Sequence, residues 1–187
     1  MENIDIIEEV SEGNLYLRKI TKSDVSFFYQ SLKEKEITNY LSLGPLRSFE
    51  HSKRLIKNYL RSWDKYLQFN YVIEIRDYST IKRIGSVSLW AINWYHQRSG
   101  VGIWILPKYW EQGFGTKSIM LIKQIAFNHL NLNRIEAHIA VENERSINMF
   151  KRCNFIEEGK LRNYLRLNGN LLDAVILSCI NPKLHQD

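Results

Sequence analysis

The sequence predicts an α+β fold, an α/β sandwich in which helices cover both faces of a mixed, mostly antiparallel sheet, in the order βααβββαβαββ. Three observations predict it. Residues 69–106 alternate apolar and polar side chains over three runs separated by polar turns, as an antiparallel meander requires. A single long helical period, 115–130, then lies between two alternating runs, and a strand, helix, strand crossover implies one parallel pair. Finally Asn168-Gly169 separates two further strand-like runs, and Asn-Gly is the strongest short hairpin signal.

In chain order, residues 1–12 read as an acidic N-terminal extension and 15–20 as the first strand. Thr21-Lys22-Ser23-Asp24 has the form of a capped helix start, with Val25, Phe28 and Leu32 following on one face. Gly44-Pro45 breaks the chain, Ser48 can cap a second helix, and Leu55, Ile56, Tyr59, Leu60 and Trp63 give it an apolar stripe. In the meander, Tyr71, Ile73 and Ile75 face one way and Val72, Glu74 and Arg76 the other; Pro107 ends it. Helix 115–130 buries Ile119, Ile122 and Ala126, and 134–141 returns as a strand. Asn143 can cap a short helix over 144–152, strands 155–167 and 171–180 follow, and 181–187 is a tail. With no repeat, low-complexity run or proline-rich linker, residues 1–187 are expected to form one domain.

Composition narrows the function classes. The chain is 44% hydrophobic and 12% aromatic, enough for a core without disulfides or metals. Its longest apolar stretch, 171–180, is interrupted by Asp173 and is half of the roughly 20 residues a membrane helix needs. The first residues lack the pattern of a secretory signal, so a cytoplasmic location is expected. Cys153 and Cys179 form neither a disulfide framework nor a ligand motif, and the histidines show no metal spacing, so no metal is expected. The net charge of +6 comes mostly from scattered basic residues without a nucleic-acid-binding module, so direct nucleic-acid binding is not expected.

The chemistry-bearing segment begins at Trp110-Glu111-Gln112-Gly113-Phe114-Gly115-Thr116. Glycines there let backbone amides approach a ligand without an intervening Cβ, and the helix start offers unpaired N–H groups and a positive dipole end. Those properties suit a pyrophosphate, although an isolated Gly-x-Gly is also an ordinary tight turn. A nucleotide P-loop is excluded, because Thr116 separates Gly115 from Lys117 and Trp110 stands where the first glycine belongs. A dinucleotide fingerprint lacks its third glycine.

Downstream stands Val141-Glu142-Asn143-Glu144-Arg145-Ser146-Ile147-Asn148-Met149-Phe150-Lys151-Arg152-Cys153-Asn154-Phe155. Together with the glycine turn, this resembles the GNAT superfamily of acyl-CoA N-acyltransferases, in particular its Rim-type branch of ribosomal-protein N-terminal acetyltransferases. The resemblance spans about 13–180 and includes Ile84-Gly85-Ser86, Pro107-Lys108-Tyr109-Trp110, and Leu132 through Ala137. It implies a sheet that splays open beside strand four, here 99–106, with the pantetheine arm of acetyl-CoA pairing with Ile103, Trp104 and Ile105. The pyrophosphate would fall on Trp110, Glu111, Gln112, Gly113, Phe114, Gly115 and Thr116, and Asn143 would face the thioester end. Ser146 lies one helical turn on, where its hydroxyl can face the same side.

Two positions depart from the pattern the resemblance implies. Phe150 stands where many relatives carry the tyrosine that protonates the departing thiolate, and Gly100 where many carry a glutamate proposed as the base. The remaining candidates are Ser146 as proton donor, with Glu136, His138 or Glu74 as base or water-positioning group. Glu136 and His138 share one strand face by period two. His96 lies in the loop before strand four, and Trp90, Trp94, Tyr95 and Trp104 are candidates for an acceptor pocket.

The function implied is direct transfer of an acetyl group from acetyl-CoA to a primary amine, favouring a protein or peptide N-terminus. Polyamines and amino sugars are the alternative acceptors, and a catalytically weak acetyl-CoA-binding module is the alternative role. The resemblance also allows a homodimer.

Overall fold

The computed structural model describes residues 6–184; the first five residues of the expected extension and the last three of the expected tail lie outside them. The elements are β1 (Glu9–Glu12), β2 (Leu15–Lys19), α1 (Val25–Leu32), α2 (Lys35–Thr38), α3 (Phe49–Asp64), β3 (Phe69–Asp77), β4 (Thr80–Asn93), β5 (Arg98–Ile105), α4 (Phe114–Gln124), β6 (Arg134–Ala140), α5 (Glu144–Arg152), β7 (Ile156–Leu167) and β8 (Asn170–Ile180). One eight-stranded sheet runs β1-β2-β3-β4-β5-β6-β8-β7. Every neighbour pair is antiparallel except β5 and β6, the two strands joined through α4.

The local reasons for these elements are the ones the residues supply. Thr21 and Asp24 form a reciprocal capping box ahead of α1, Ser48 Oγ accepts from His51 N–H at the start of α3, and Asn143 Oδ1 accepts from Ser146 N–H at the start of α5. Asn168 and Gly169 take left-handed φ values of 50° and 86°, the twist a two-residue hairpin turn needs. β3 is buried over seven consecutive residues because apolar clusters cover it on both faces. The larger cluster joins the sheet to α4 through Ile119 and Ile122 and to the turn that follows it through Ala126, and the smaller joins Val72 to α1 and α3 through Phe28, Leu32 and Ile56.

Two elements correct the expected order. Residues 9–12, expected in the extension, form an eighth strand paired with β2 from Glu9↔Arg18 to Glu12↔Leu15. Four residues, three of them exposed, carry too little alternation to be read; Val10 packs on the core and Glu9 pairs with Arg76, and both contacts are tertiary. The short helix α2 also escaped the pattern, since it is one turn held by buried Ile37 and Thr38. Finally, the expected helix 115–130 is α-helical only to Gln124 and widens to a π turn over Ile125–His129.

Glu74 has no place in the chemistry. It is 3% exposed and is held by Arg18 at 2.8 Å and Arg76 at 2.9 Å, with Arg83 at 3.8 Å. Arg18 also grips fully buried Asp24 through two bonds of 2.7 and 2.8 Å. Burial would push the Asp24 carboxyl up, but Arg18, the Thr21 N–H and Arg83 outweigh it and hold it below the ordinary range. Such a group stabilises the fold above its unfolded pKa and loses that contribution as the pH falls through its folded value. Replacing Arg18 by Met leaves both carboxylates short of a partner, so urea unfolding at pH 7 should show a loss of about 3 kcal/mol. The difference from wild type should narrow near pH 3, where protonation relieves the stranded carboxylates.

Candidate active site

β5 and β6 pair only at Arg98↔Arg134, Ser99↔Ile135 and Gly100↔Glu136. Beyond Gly100, β5 stays with β4 as far as Ile105, while β6 stays with β8 as far as Ala140. A wedge therefore opens between 101–105 and 137–140. Leu106 N–H donates to Ile84 O at 2.8 Å, and the Trp110 indole N–H donates to Ile105 O at 2.7 Å. Antiparallel alternation from those two bonds turns the main-chain groups of Gly102 and Trp104 toward β4, and those of Val101, Ile103 and Ile105 toward the wedge. Ile103 thus offers both its N–H and its carbonyl there, whereas Ile105 has its carbonyl taken by Trp110. Trp104 contributes a side chain instead, packed on Phe27 and Phe28 at 5.6 and 5.4 Å.

At the wide end of the wedge, a short turn at Pro107–Tyr109 leads into the glycine loop. Glu111 and Gly113 both have left-handed backbones, with φ 60° and 80°, and Gly113 is the N-cap of α4. Nothing lies within 4 Å of the point where a Gly113 Cβ would stand, and Gly113, Gly115 and Thr116 at the start of α4 line the cleft. A Cβ on Gly115, by contrast, would come 2.5 Å from Met149 Sδ; this glycine lets α4 and α5 approach. Arg145 of α5 stacks 3.3 Å over the Trp110 ring centroid, tying the loop to that helix. Gln112 is turned away, its side-chain amide donating to Lys108 O, and Phe114 packs edge-on against Tyr109.

These parts enclose one cleft of about 810 Å3. Of the residues expected to hold the cofactor, Ile103, Trp104, Ile105, Trp110, Glu111, Gly113, Gly115, Thr116, Asn143, Ser146 and Phe150 line it; Gln112 and Phe114 do not. Trp90, paired with Gly100 beside the last β5–β6 rung, and His138 line it too, as do Glu36, Tyr40 and Leu41 from the α2 region and Tyr164 from β7. His96 is not among the lining residues, and neither are Trp94, whose indole donates to Tyr66 O, and Tyr95, which is exposed.

The two departures from the family pattern have structural causes. A Cβ at Gly100 would fall inside the Trp90 indole, which lies across the strand from it, so a glutamate has no room there. Phe150 is 2% exposed and packs edge-on against Phe155 with centroids 4.9 Å apart, filling the space with carbon alone. Glu136 does not line the cleft itself. It sits behind His138, 3.6 Å from Nε2, and is held by Arg134 at 2.6 Å. Arg134 in turn forks onto Glu158, whose carboxyl it pulls down to about 2 together with the Ser178 hydroxyl.

The Acetyltransferase (GNAT) domain matches residues 14–156. The chain belongs to this acetyltransferase family. It is 30% identical over 169 residues to the uncharacterized N-acetyltransferase YoaA of Bacillus subtilis, covering 90% of this chain and 94% of that one. The crystal structure of spermidine N-acetyltransferase from Vibrio cholerae with CoA and spermine superposes with a TM-score of 0.82 at 27% identity, over 94% of this chain and 100% of that chain. A ribosomal-protein-S5-alanine acetyltransferase from Vibrio fischeri shares the fold, with a TM-score of 0.81 at 22% identity, over 95% and 99% of the two chains. The resemblance to the GNAT superfamily holds, and with it the mixed α+β fold.

As a GNAT acetyltransferase the protein is an N-acetyltransferase that uses acetyl-CoA, which supplies a thioester carbonyl open to attack and a thiolate leaving group. The residues present fit that molecule: an open left-handed glycine at a helix N-terminus for the pyrophosphate, and a wedge edge with unpaired main-chain groups for an amide-bearing arm. Gly113→Glu places a β-carbon in a left-handed backbone and a negative charge at the cradle. Calorimetry should show acetyl-CoA binding at least about tenfold weaker, with Gly113→Ala losing less, since only the backbone penalty of about 1–2 kcal/mol remains.

Proposed function

We propose that the acceptor is a protein or peptide N-terminus. The observation that supports it is the charge of the cleft: apart from Glu111 of the glycine loop, Glu36 is the one lining carboxylate among the described residues, and Tyr40, Trp90, His138 and Tyr164 belong to the same lining. A polycationic acceptor gains its selectivity from several carboxylates, whereas one carboxylate and aromatic walls suit a single ammonium carrying less polar neighbours. Proton affinity supports the same choice. An α-amino group ordinarily titrates near 7.7–8.0 and an alkyl amine near 10.4, about 2.5 pK units apart, so an imidazole base removes the former's proton at a saving of about 3.4 kcal/mol. A polyamine acceptor is the second reading, favoured by the 27% identity to the Vibrio cholerae spermidine enzyme.

In this reading the narrow end of the wedge holds the acetyl group, because the glycine loop receives the pyrophosphate at the other end. The main-chain N–H groups of Val101 and Ile103 that face the wedge are placed to stabilise the oxyanion. Ser146, on the first turn of α5 and facing the cleft, donates the proton that the leaving thiolate takes and regains one from the nitrogen, which loses its second proton as the amide forms. The amine's own proton leaves toward the His138 and Glu136 side. Burial pulls the His138 imidazole below its ordinary range in spite of Glu136, so it is neutral and able to accept at pH 7.

Free-thiol release from acetyl-CoA, measured with a panel of peptides, spermidine and an amino sugar, tests the acceptor. Peptides should give the highest kcat/KM; faster turnover of spermidine would move the assignment to polyamines. If no amine stimulates release while acetyl-CoA still binds, the chain is a binding module. Ser146→Ala should lower kcat by roughly 10²-fold with acetyl-CoA affinity held within about twofold.

A further inference from the structure

We propose that the acceptor amine gives its proton to Tyr164, which passes its own to His138 while Glu136 holds the far side of the imidazole. This relay rests on the reading that the chain acetylates an amine. Both imidazole nitrogens of His138 are already faced. Nδ1 stands 3.2 Å from the Tyr164 hydroxyl, and Nε2 stands 3.6 Å from Glu136 Oε2. The ring edges are boxed as well, by Trp90 at a centroid distance of 6.0 Å and by Tyr164 at 4.9 Å. The end of the chain that an amine can reach is the Tyr164 side chain, which is 49% exposed and lines the cleft.

Tyr164 is aimed there by an irregularity in β7. The register with β8 passes from Leu161↔Ala174 to Leu165↔Leu172, so β7 holds two more residues than its partner in that interval. Asn163 takes a left-handed φ of 51°, and its N–H donates to Asp173 Oδ1 at 2.9 Å. The same carboxylate holds Lys160, just before the bulge, at 2.8 Å. Bulges re-aim side chains beside active sites, and this one places a hydroxyl over His138, two residues past the last β5–β6 rung at Glu136.

The charges set the direction of transfer. Glu136, with Arg134 at 2.6 Å and Arg98 at 3.8 Å, favours the imidazole proton on Nε2, which leaves the Nδ1 lone pair for the Tyr164 O–H. Trp90 on β4 and Tyr164 on β7 add no charge at pH 7. An ammonium N–H bond breaks, its electron pair remaining on nitrogen for attack on the thioester carbonyl. The proton bonds to the Tyr164 oxygen as the original phenol proton moves to Nδ1. No phenolate is released, and the resulting imidazolium later gives its extra proton to water.

The experiment is kcat against pH, at saturating acetyl-CoA and peptide, for wild type, Tyr164→Phe, His138→Gln and the double variant, with acetyl-CoA affinity measured by calorimetry. Wild-type kcat should rise with pH through an inflection below the ordinary imidazole range, where His138 becomes neutral. Tyr164→Phe should cost about 10²-fold in kcat with acetyl-CoA affinity unchanged, His138→Gln should erase the inflection, and the double variant should be no slower than the slower single one. The relay is overturned if Tyr164→Phe stays within about threefold of wild type, if it loses acetyl-CoA binding, or if the inflection survives in His138→Gln. Turnover by wild type with any of those results removes the relay alone; a wild-type chain that binds acetyl-CoA and acetylates nothing removes the functional reading with it.

Discussion

The parting of β5 from β6 after three paired residues sets the rest of the molecule. Parallel strands that began to pair at Arg98 and Arg134 would normally continue, since each further rung satisfies buried main-chain groups. Here each strand is instead held by its outer neighbour, β5 by β4 and β6 by β8. The wedge is therefore a stable feature of the sheet, with an unpaired edge that a ligand bearing amides can complete. Its apex and mouth have different chemistry because the crossover through α4 must begin at the mouth, bringing a helix N-terminus there, while the side chains of β6 just past the last rung crowd the apex.

The two missing catalytic side chains follow from packing at the same apex. Trp90 lies over Gly100, so the position across the strand can bear no side chain, and the indole closes the wall that a carboxylate would have opened to water. Phe150, on α5, packs edge-on against Phe155 and likewise fills its place with carbon. Both changes make the apex drier and more aromatic, which strengthens whatever polar groups remain there. Those groups are concentrated on the other side, along β6 and β7, where Glu136, His138 and Tyr164 touch in sequence and Arg134 ties them to Glu158. The ion pairs around Asp24 and Glu74 are separate from this set and belong to the packing of β2, β3 and the start of α1.

Much of this was legible in the residues. The period-two runs, the caps at Thr21, Ser48 and Asn143, and the Asn168-Gly169 turn are local signals, since each depends on neighbours within a few positions, and each appears in the structure where the pattern put it. The glycine loop was equally readable, because left-handed backbone as at Gly113 favours glycine whatever the surrounding fold, though Glu111 takes it without one. The chain by itself therefore determined the element order apart from two short pieces, the fold class and the glycine turn at the head of α4.

Tertiary structure alone decided what stands opposite what. β1 and α2 are too short to show a period and exist through contacts made by Val10, Glu9 and Ile37. Glu74, reading as a free strand carboxylate, is claimed by arginines from three strands. Tyr164 was not picked out, because a strand bulge is a mismatch between two paired strands and leaves only a break in alternation at Arg162-Asn163-Tyr164. Periodicity reports which face a side chain takes relative to its own neighbours; the pairing of Trp90 with Gly100, and of Tyr164 with His138, depends on register between strands, which no local pattern contains.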